Sequence, residues 1–224
     1  MFAPLLIVFT SFLAISGSPT KRESTTISGQ YDCEASGVYT LCQNLWGEYA
    51  GVGSQNSTLY NTVGNAVSWT TTWSWENNPN NVKSYANVES NTTKGVQLSD
   101  ISRAPTHWVW QYDSQSEGIR ADVSYDIWFG KAPSGDPASA ASSYEIMIWL
   151  SGKGGIQPVG SQITNGTEIA GFPWNLWKGP NGNWEVLSFV SASGDINDFD
   201  VDLNEFFGYL VEEQGVSASQ RFNY

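Results

Sequence analysis

Residues 144–150 read Tyr-Glu-Ile-Met-Ile-Trp-Leu, and this alternation indicates a β-strand with two unlike faces. One face carries four large side chains that suit a core: Tyr144, Ile146, Ile148 and Leu150. The other face carries Glu145, Met147 and Trp149. A carboxylate between a thioether and an indole is typical of the floor of a sugar-binding groove. A lone Glu in an apolar strand is also common at a sheet edge, and the pattern leaves both interpretations open.

Residues 120–129, Arg-Ala-Asp-Val-Ser-Tyr-Asp-Ile-Trp-Phe, repeat this alternation. Asp122, Ser124, Asp126 and Trp128 share the face opposite the apolar residues. If both strands line one concave sheet, Asp126 approaches Glu145, and like charges held close raise one pKa. An ordinary surface position is the alternative for Asp126.

Short strand patterns recur along the chain, at residues 67–75, 107–112 and 184–190. The chain is rich in strand-forming aromatics, with 11 Trp, 10 Tyr and 10 Phe against 10 Lys and Arg together. Residues 200–213 break the pattern, because apolar residues there fall at helical spacing and predict one amphipathic helix. Since no repeat or linker interrupts residues 28–216, we expect one all-β sandwich domain with this helix near the C-terminus.

An apolar run at residues 2–15, followed by small residues, predicts a signal peptide over residues 1–18. A buried N-terminal strand is the alternative. Lys21-Arg22 is a dibasic pair that would end a short pro-segment. We therefore expect a secreted, extracellular protein.

Secretion also bears on the cysteines and on glycosylation. With two cysteines, Cys33 and Cys42, one intramolecular disulfide can form. Sequons for N-glycosylation occur at Asn56, Asn91 and Asn165, all in polar sequence.

Composition excludes several classes of function. A net charge of −12 without cation clusters argues against a nucleic acid or an anionic membrane surface as partner. The sole histidine, His107, excludes a His-rich metal site, and we expect no metal and no cofactor. With both thiols bridged and no phosphate-binding or dinucleotide motif, carboxylates remain as the catalytic groups. Carboxylates alone suit glycoside hydrolysis by a monomeric enzyme.

Several motifs, in order from about residue 31 to residue 220, resemble family 12 glycoside hydrolases. They are Asn44-Leu45-Trp46-Gly47, Ser68-Trp69 with Trp73 and Trp75, residues 81–85 (Asn-Val-Lys-Ser-Tyr), residues 121–126, residues 144–150, Gly179-Pro180-Asn181-Gly182, residues 188–190 and residues 206–210. The resemblance implies a jelly-roll sandwich of two curved antiparallel sheets. The concave sheet would form an open cleft for a β-1,4-glucan.

The resemblance also implies a retaining endo-β-1,4-glucanase acting on cellulose-like or xyloglucan-like polymers. Glu145 resembles the family's nucleophile, and Asp126 resembles the carboxylate that assists it. Substrate-binding positions implied in the same way are Asn44, Trp46, Met147, Trp149 and Asn181, with Trp46 as a sugar-stacking platform.

Two departures from the family pattern matter. The family's usual second cysteine follows the Asn-Leu-Trp-Gly motif, whereas residues 53–56 here read Gly-Ser-Gln-Asn, so a bridge to Cys42 is a variant pairing. After Ser219-Gln220, family members continue into a Gly-Thr-Glu-Pro-Phe motif whose Glu is the general acid/base, but this sequence reads Arg-Phe-Asn-Tyr at residues 221–224. No residue here is assigned that role, so residues 28–224 are predicted to form the domain without its usual last strands.

Three functions follow from these observations. The first is an endoglucanase, the second a catalytically inactive paralogue that binds glycan or acts as a decoy for a partner of the active enzyme. The third, a lectin-like domain, leaves Glu145 and Asp126 unexplained.

Overall fold

The computed structural model describes residues 24–223. The predicted signal peptide and the Lys21-Arg22 pair lie outside this range. Within it the elements are β1 (Ser24–Ile27), β2 (Cys33–Ser36), β3 (Tyr39–Cys42), β4 (Val52–Val63), β5 (Ala66–Glu76), β6 (Asn87–Ser90), β7 (Pro105–Val109), β8 (Ala121–Gly130), β9 (Ser142–Lys153), β10 (Ser161–Gln162), β11 (Thr167–Ile169), β12 (Phe172–Asn181), β13 (Trp184–Ser191), β14 (Asp198–Asp202), α1 (Asn204–Glu213) and β15 (Arg221–Phe222).

A seven-stranded sheet forms one layer, in the order β10-β12-β13-β9-β8-β15 with β11 beside β12. Its neighbours are antiparallel except β13 and β9, which run parallel. On the far side of β15, Gln97 forms a bridge with Arg221, and the Leu98 amide donates to the Gln220 carbonyl at 2.9 Å. The segment that follows β6 therefore lies against β15 and joins the three-stranded β2-β3-β6 sheet to this layer.

The second layer consists of the β1-β4-β5 sheet and the β14-β7 pair. Phe199 of β14 and Phe206 and Leu210 of α1 are fully buried, in one cluster with side chains of β8, β9 and β13. A smaller cluster of Ile27, Leu41 and Leu59 lies between β1, β4 and β3. The expected jelly-roll sandwich is thus confirmed.

Alternation along β8 and β9 is as predicted. Ile146, Ile148 and Leu150 are completely buried, as is Phe129 on β8. The opposite faces of these two strands therefore point out of the sandwich core.

The predicted helix is confirmed but begins later than expected. Residues 198–202 pair with β7, so Asp200 lies in a strand and the helix begins at Asn204. The Asp202 carboxylate accepts hydrogen bonds from the backbone N–H groups of Ala104, at 2.7 Å, and Asn204, at 3.0 Å. These bonds hold the turn from strand to helix, and the pairing with residue 104 is invisible in the local pattern.

The predicted disulfide is confirmed, because Cys33 and Cys42 face each other across the β2–β3 hairpin and are bonded. The strand predicted at residues 107–112 lies earlier in the chain, since β7 runs from Pro105 to Val109. No helix within residues 24–223 is both long and apolar enough to cross a membrane.

Candidate active site

Glu145 and Asp126 lie next to each other on the outer face of β9 and β8. In the antiparallel register Asp126 is opposite Met147, and Glu145 is opposite Trp128. Glu145 and Asp126 are therefore diagonal neighbours on one face, within reach of each other's electrostatic field. The structure brings together the two carboxyls that the sequence singled out.

Glu145 sits in a partly desolvated position with two donors. The Trp184 indole N–H donates to Glu145 Oε2 at 2.9 Å, and the Asn181 side chain also bonds this carboxylate. Burial raises the pKa of Glu145, while the bonds from Trp184 and Asn181 lower it. The Trp184 ring is fixed in turn by an edge contact with Trp128, with ring centroids 5.2 Å apart.

Asp126 lies in a still less polar position. Burial first, then the negative charge of Glu145, hold the pKa of Asp126 well above its ordinary value, and the more distant charge of Asp122 adds to the effect. Its Oδ1 atom is buried and has no hydrogen-bond partner within residues 24–223. The two carboxyls therefore share one proton over a range of pH, and the deeper burial of Asp126, together with the hydrogen bonds to Glu145, favours that proton on Asp126.

Met147 and Trp149 extend the same face of β9. The Trp149 indole donates to Met147 Sδ at 3.4 Å, and Trp149 is only 5% exposed. Its ring thus has little surface available for contact with a sugar and mainly holds Met147 in place. Met147 lies beside Glu145 on the outer face of β9. A sugar contact for Met147 stays a prediction.

Trp46 stands on the loop between β3 and β4. Leu45 anchors that loop in the interior, whereas Trp46 is 54% exposed. Asn44 adopts a left-handed conformation with φ of 50°, which Asn tolerates better than most residues. Its carbonyl accepts the Tyr85 N–H at 3.0 Å. The exposed indole is therefore held on a fixed turn, as a stacking platform requires.

Tyr85 connects this loop to β8. Its hydroxyl lies 2.5 Å from Ser124 Oγ, and Ser124 donates to Asp122 Oδ2 at 2.8 Å. The loop that carries Asn44 and Trp46 is thus connected through Tyr85 to the strand that carries Asp126.

Sequence reasoning assigned no role to Trp184 or Tyr85. Trp184 reaches Glu145 because β13 runs parallel to β9 with Val186 opposite Glu145, a pairing that local periodicity does not reveal. Tyr85 ends the motif at residues 81–85, and the family resemblance of that motif is the only feature of the sequence that points to Tyr85.

The three predicted N-glycosylation sites are on the surface. Asn56, Asn91 and Asn165 are all exposed, although the Asn91 amide donates to Thr40 Oγ1 at 3.1 Å. Their glycosylation stays a prediction. No cluster of three His, Cys, Asp or Glu that could hold a metal ion occurs in the described part of the chain.

Comparisons with known proteins agree with this geometry. The model of glycosyl hydrolase family 12 matches residues 37–223. A xyloglucan-specific endo-beta-1,4-glucanase A of Emericella nidulans is 42% identical over 220 residues, covering 96% of this chain and 87% of that protein. The protein of the same name from Aspergillus aculeatus is 41% identical over 210 residues, covering 92% of this chain and 84% of that protein.

Solved structures show the same relationship. Trichoderma harzianum endoglucanase 3, of family GH12, superposes with a TM-score of 0.82 at 35% identity, covering 91% of this chain and 88% of that chain. The catalytic domain of Humicola grisea Cel12A, solved with a thio cellotetraose, superposes with a TM-score of 0.81 at 38% identity, covering 88% of this chain and 87% of that chain.

Fold and site together define a carbohydrate-active β-jelly roll with a carboxyl pair on its open face. The family match and the sequence identities assign this domain to one family of glycoside hydrolases. The chain belongs to glycosyl hydrolase family 12, which supports glycoside hydrolase activity on β-glucans.

Proposed function

We propose that this chain is a secreted, retaining endo-β-1,4-glucanase that hydrolyses cellulose-like or xyloglucan polysaccharides. The single observation that carries the mechanism is the Glu145–Asp126 pair on one face of the sheet, in which Trp184 orients Glu145 and the raised pKa of Asp126 favours the shared proton there. The names of the Emericella and Aspergillus relatives support a xyloglucan-type substrate.

In the proposed reaction the Glu145 carboxylate attacks the anomeric carbon, the bond to the leaving oxygen breaks, and that oxygen takes up a proton from water, since no described residue is assigned as the acid. A glycosyl–enzyme ester forms, and water then releases the sugar with its configuration retained. Neutral Asp126 keeps a second negative charge away from Glu145 in this desolvated position. Trp184 and Asn181 hold the carboxylate in one orientation throughout.

Binding is proposed to run along the same face. The exposed Trp46 indole would stack on a sugar ring, and Asn44 and Met147 would contact neighbouring positions. We expect Trp46→Ala to weaken binding of a xyloglucan oligosaccharide about 10-fold, on the scale of one lost aromatic contact. Val109→Ala, an exposed apolar position on β7, is the control and should bind like the wild type.

One observation favours the catalytically inactive, glycan-binding paralogue as a second candidate. Within residues 24–223 the carboxyl whose pKa is raised by the charge of Glu145 is Asp126, on the adjacent strand of the same sheet. Retention also needs a carboxyl that protonates the leaving oxygen, about 5–5.5 Å from the nucleophile. No described residue is assigned that step.

One comparison separates the candidates. Reducing-end release from xyloglucan and carboxymethyl-cellulose is measured for the wild type and Glu145→Gln, alongside oligosaccharide binding by calorimetry. If the chain is an enzyme, Glu145→Gln abolishes the release of reducing ends while its affinity for the oligosaccharide stays within a few-fold of the wild type. NMR of the first wild-type products then shows the β-anomer. Background release by the wild type with intact binding would favour the inactive paralogue. Loss of binding together with activity in Glu145→Gln would contradict a catalytic role for this residue.

Export, glycosylation and a monomeric state are proposed on sequence grounds. Expression of the full chain in a secreting eukaryotic host should deliver protein into the medium with an N-terminus after residue 18 or after Arg22. Endoglycosidase treatment should lower its mass if any of the three sequons is occupied, and light scattering should give the mass of one chain.

A further inference from the structure

A third carboxyl, Asp122, lies on the same outer face of β8 as Asp126. Ser124 separates the two along the strand, and all three side chains point the same way because of the two-residue period. Asp122 is partly buried, and the five ion pairs within residues 24–223 involve none of Asp122, Asp126 or Glu145. The face thus carries three carboxyls without a cation among them.

Hydrogen bonds fix the position of Asp122. Ser124 donates its only hydroxyl hydrogen to Asp122 Oδ2 at 2.8 Å, so the Tyr85 hydroxyl, 2.5 Å from Ser124 Oγ, donates to Ser124. Tyr85 O also lies 3.5 Å from Asp122 Oδ2. The relay runs from Tyr85 through Ser124 and ends on the carboxylate. Burial raises the pKa of Asp122, and the hydrogen bonds from Ser124 and Tyr85 lower it, so the relay opposes the effect of burial and favours the ionised carboxylate.

The two phenols near Asp122 carry no charge, and the other local carboxylate, Asp195, is paired with Lys153. Burial, the charges of Asp122 and Asp126 and, more weakly, that of Glu145 hold the pKa of Tyr85 well above its ordinary value. Burial first, then the charges of Asp122 and Asp195, raise the pKa of Tyr112 to about 12. Both phenols are therefore neutral at working pH and act as dipoles.

We propose that Asp122 is a positioning residue of this site, whose charge, held by the Tyr85–Ser124 relay, keeps the shared proton on Asp126 and leaves Glu145 ionised. The inference rests on the proposed function in that an ionised Glu145 is what the nucleophile role requires. The competing interpretation is that Asp122 only anchors Tyr85, and with it the Trp46 loop, to β8.

Asp122→Asn separates the two roles, because the amide oxygen still accepts from Ser124 while the charge is gone. The readout is a carbon-13 NMR titration of side-chain carboxyls, with the Asp126 resonance assigned from its loss in Asp126→Asn. Asp126 lies four positions beyond Asp122 on an extended strand, so their carboxyls lie about 13 Å apart. At an effective dielectric constant of about 20, removing a charge at that distance should lower the Asp126 midpoint by about 0.5–1 pH unit.

Asp200→Asn, an exposed carboxyl on β14, is the matched control and should leave the Asp126 midpoint in place. An unchanged or raised midpoint in a folded Asp122→Asn protein would overturn the proposal and leave Asp122 as an anchor. If Asp122→Asn does not fold, Ser124→Ala tests the same point. It removes the donor to Asp122, raises the Asp122 pKa and should lower the Asp126 midpoint by a smaller amount, whereas no change would again overturn the proposal.

The titration needs no turnover, so its result is independent of whether the chain hydrolyses glucan. Should the protein prove inactive, a lowered Asp126 midpoint would still establish the charge coupling. Should it prove active, the basic limb of the pH profile, where Asp126 loses its proton, should move to lower pH in Asp122→Asn. A purely structural role would lower the rate without moving that limb.

Discussion

Trp184→Phe should change the ionisation of Glu145 without removing either carboxyl. The substitution keeps an aromatic ring against Trp128 but deletes the indole N–H that donates to Glu145 Oε2 at 2.9 Å. A hydrogen bond to a charged group contributes about 1.5–3 kcal/mol. Each 1.36 kcal/mol corresponds to one pKa unit. Because this bond lowers the pKa of Glu145, its loss should raise that pKa by about 1–2 units.

The assay is the pH dependence of kcat/KM with an aryl β-cellobioside whose leaving group is dinitrophenolate. This leaving group departs without protonation, so the rate reports attack by Glu145 rather than general acid catalysis. The acid limb of the profile should move up by the same 1–2 units in Trp184→Phe. The rate at neutral pH should also fall, since the carboxylate is less well oriented.

Trp110→Phe is the control, because it deletes an indole bond of similar length, 2.7 Å to the Ile196 carbonyl, away from the carboxyl pair. It should lower the melting temperature and leave the acid limb in place. An unshifted limb in folded Trp184→Phe, or an equal shift in Trp110→Phe, would refute the assignment of Trp184 as the group that tunes Glu145.

Three further predictions concern stability. Replacing Cys33 and Cys42 by serine removes a short-loop crosslink of about 2–3 kcal/mol, and calorimetry should show Tm lower by about 5–10 °C; an unchanged Tm would contradict the disulfide. Phe206→Ala, at a fully buried position between the helix and the sheet, should cost about 3–5 kcal/mol in urea unfolding, and a loss below 1 kcal/mol would contradict the packing described. Asp202→Ala should destabilise the fold most near neutral pH, because hydrogen bonds, first that from the Ala104 N–H, lower the pKa of Asp202. The stabilisation by Asp202 is therefore present above pH 3.8 and is lost as the pH falls further. Equal losses of unfolding free energy at pH 6 and pH 2 would refute this role of the ionised carboxylate.

The faces of individual strands could be read from the sequence because each depends on a period of two within one segment. Residues 144–150 show this clearly: the side chains predicted to be inside are completely buried at Ile146, Ile148 and Leu150. The proximity of Asp126 and Glu145 followed once their strands were adjacent in the sheet.

Contacts between distant segments could not be predicted in this way. Trp184 and Glu145 are 39 residues apart, as are Tyr85 and Ser124, and each contact depends on register set by the whole sheet. The late start of the helix has the same origin, because the bond between Asp202 and the Ala104 backbone spans 98 residues. The burial of Trp149 likewise depends on neighbours that alternation along β9 does not specify.

The most direct test of the central claim is covalent trapping of the nucleophile. A 2-deoxy-2-fluoro-β-cellobioside with a dinitrophenolate leaving group slows hydrolysis of the glycosyl–enzyme ester more than its formation, so the ester accumulates. Peptide mass spectrometry should place the label on Glu145, and Glu145→Gln should remain unlabelled. A label on Asp126 or elsewhere, or a wild-type protein that binds the compound and stays unlabelled, would contradict the account.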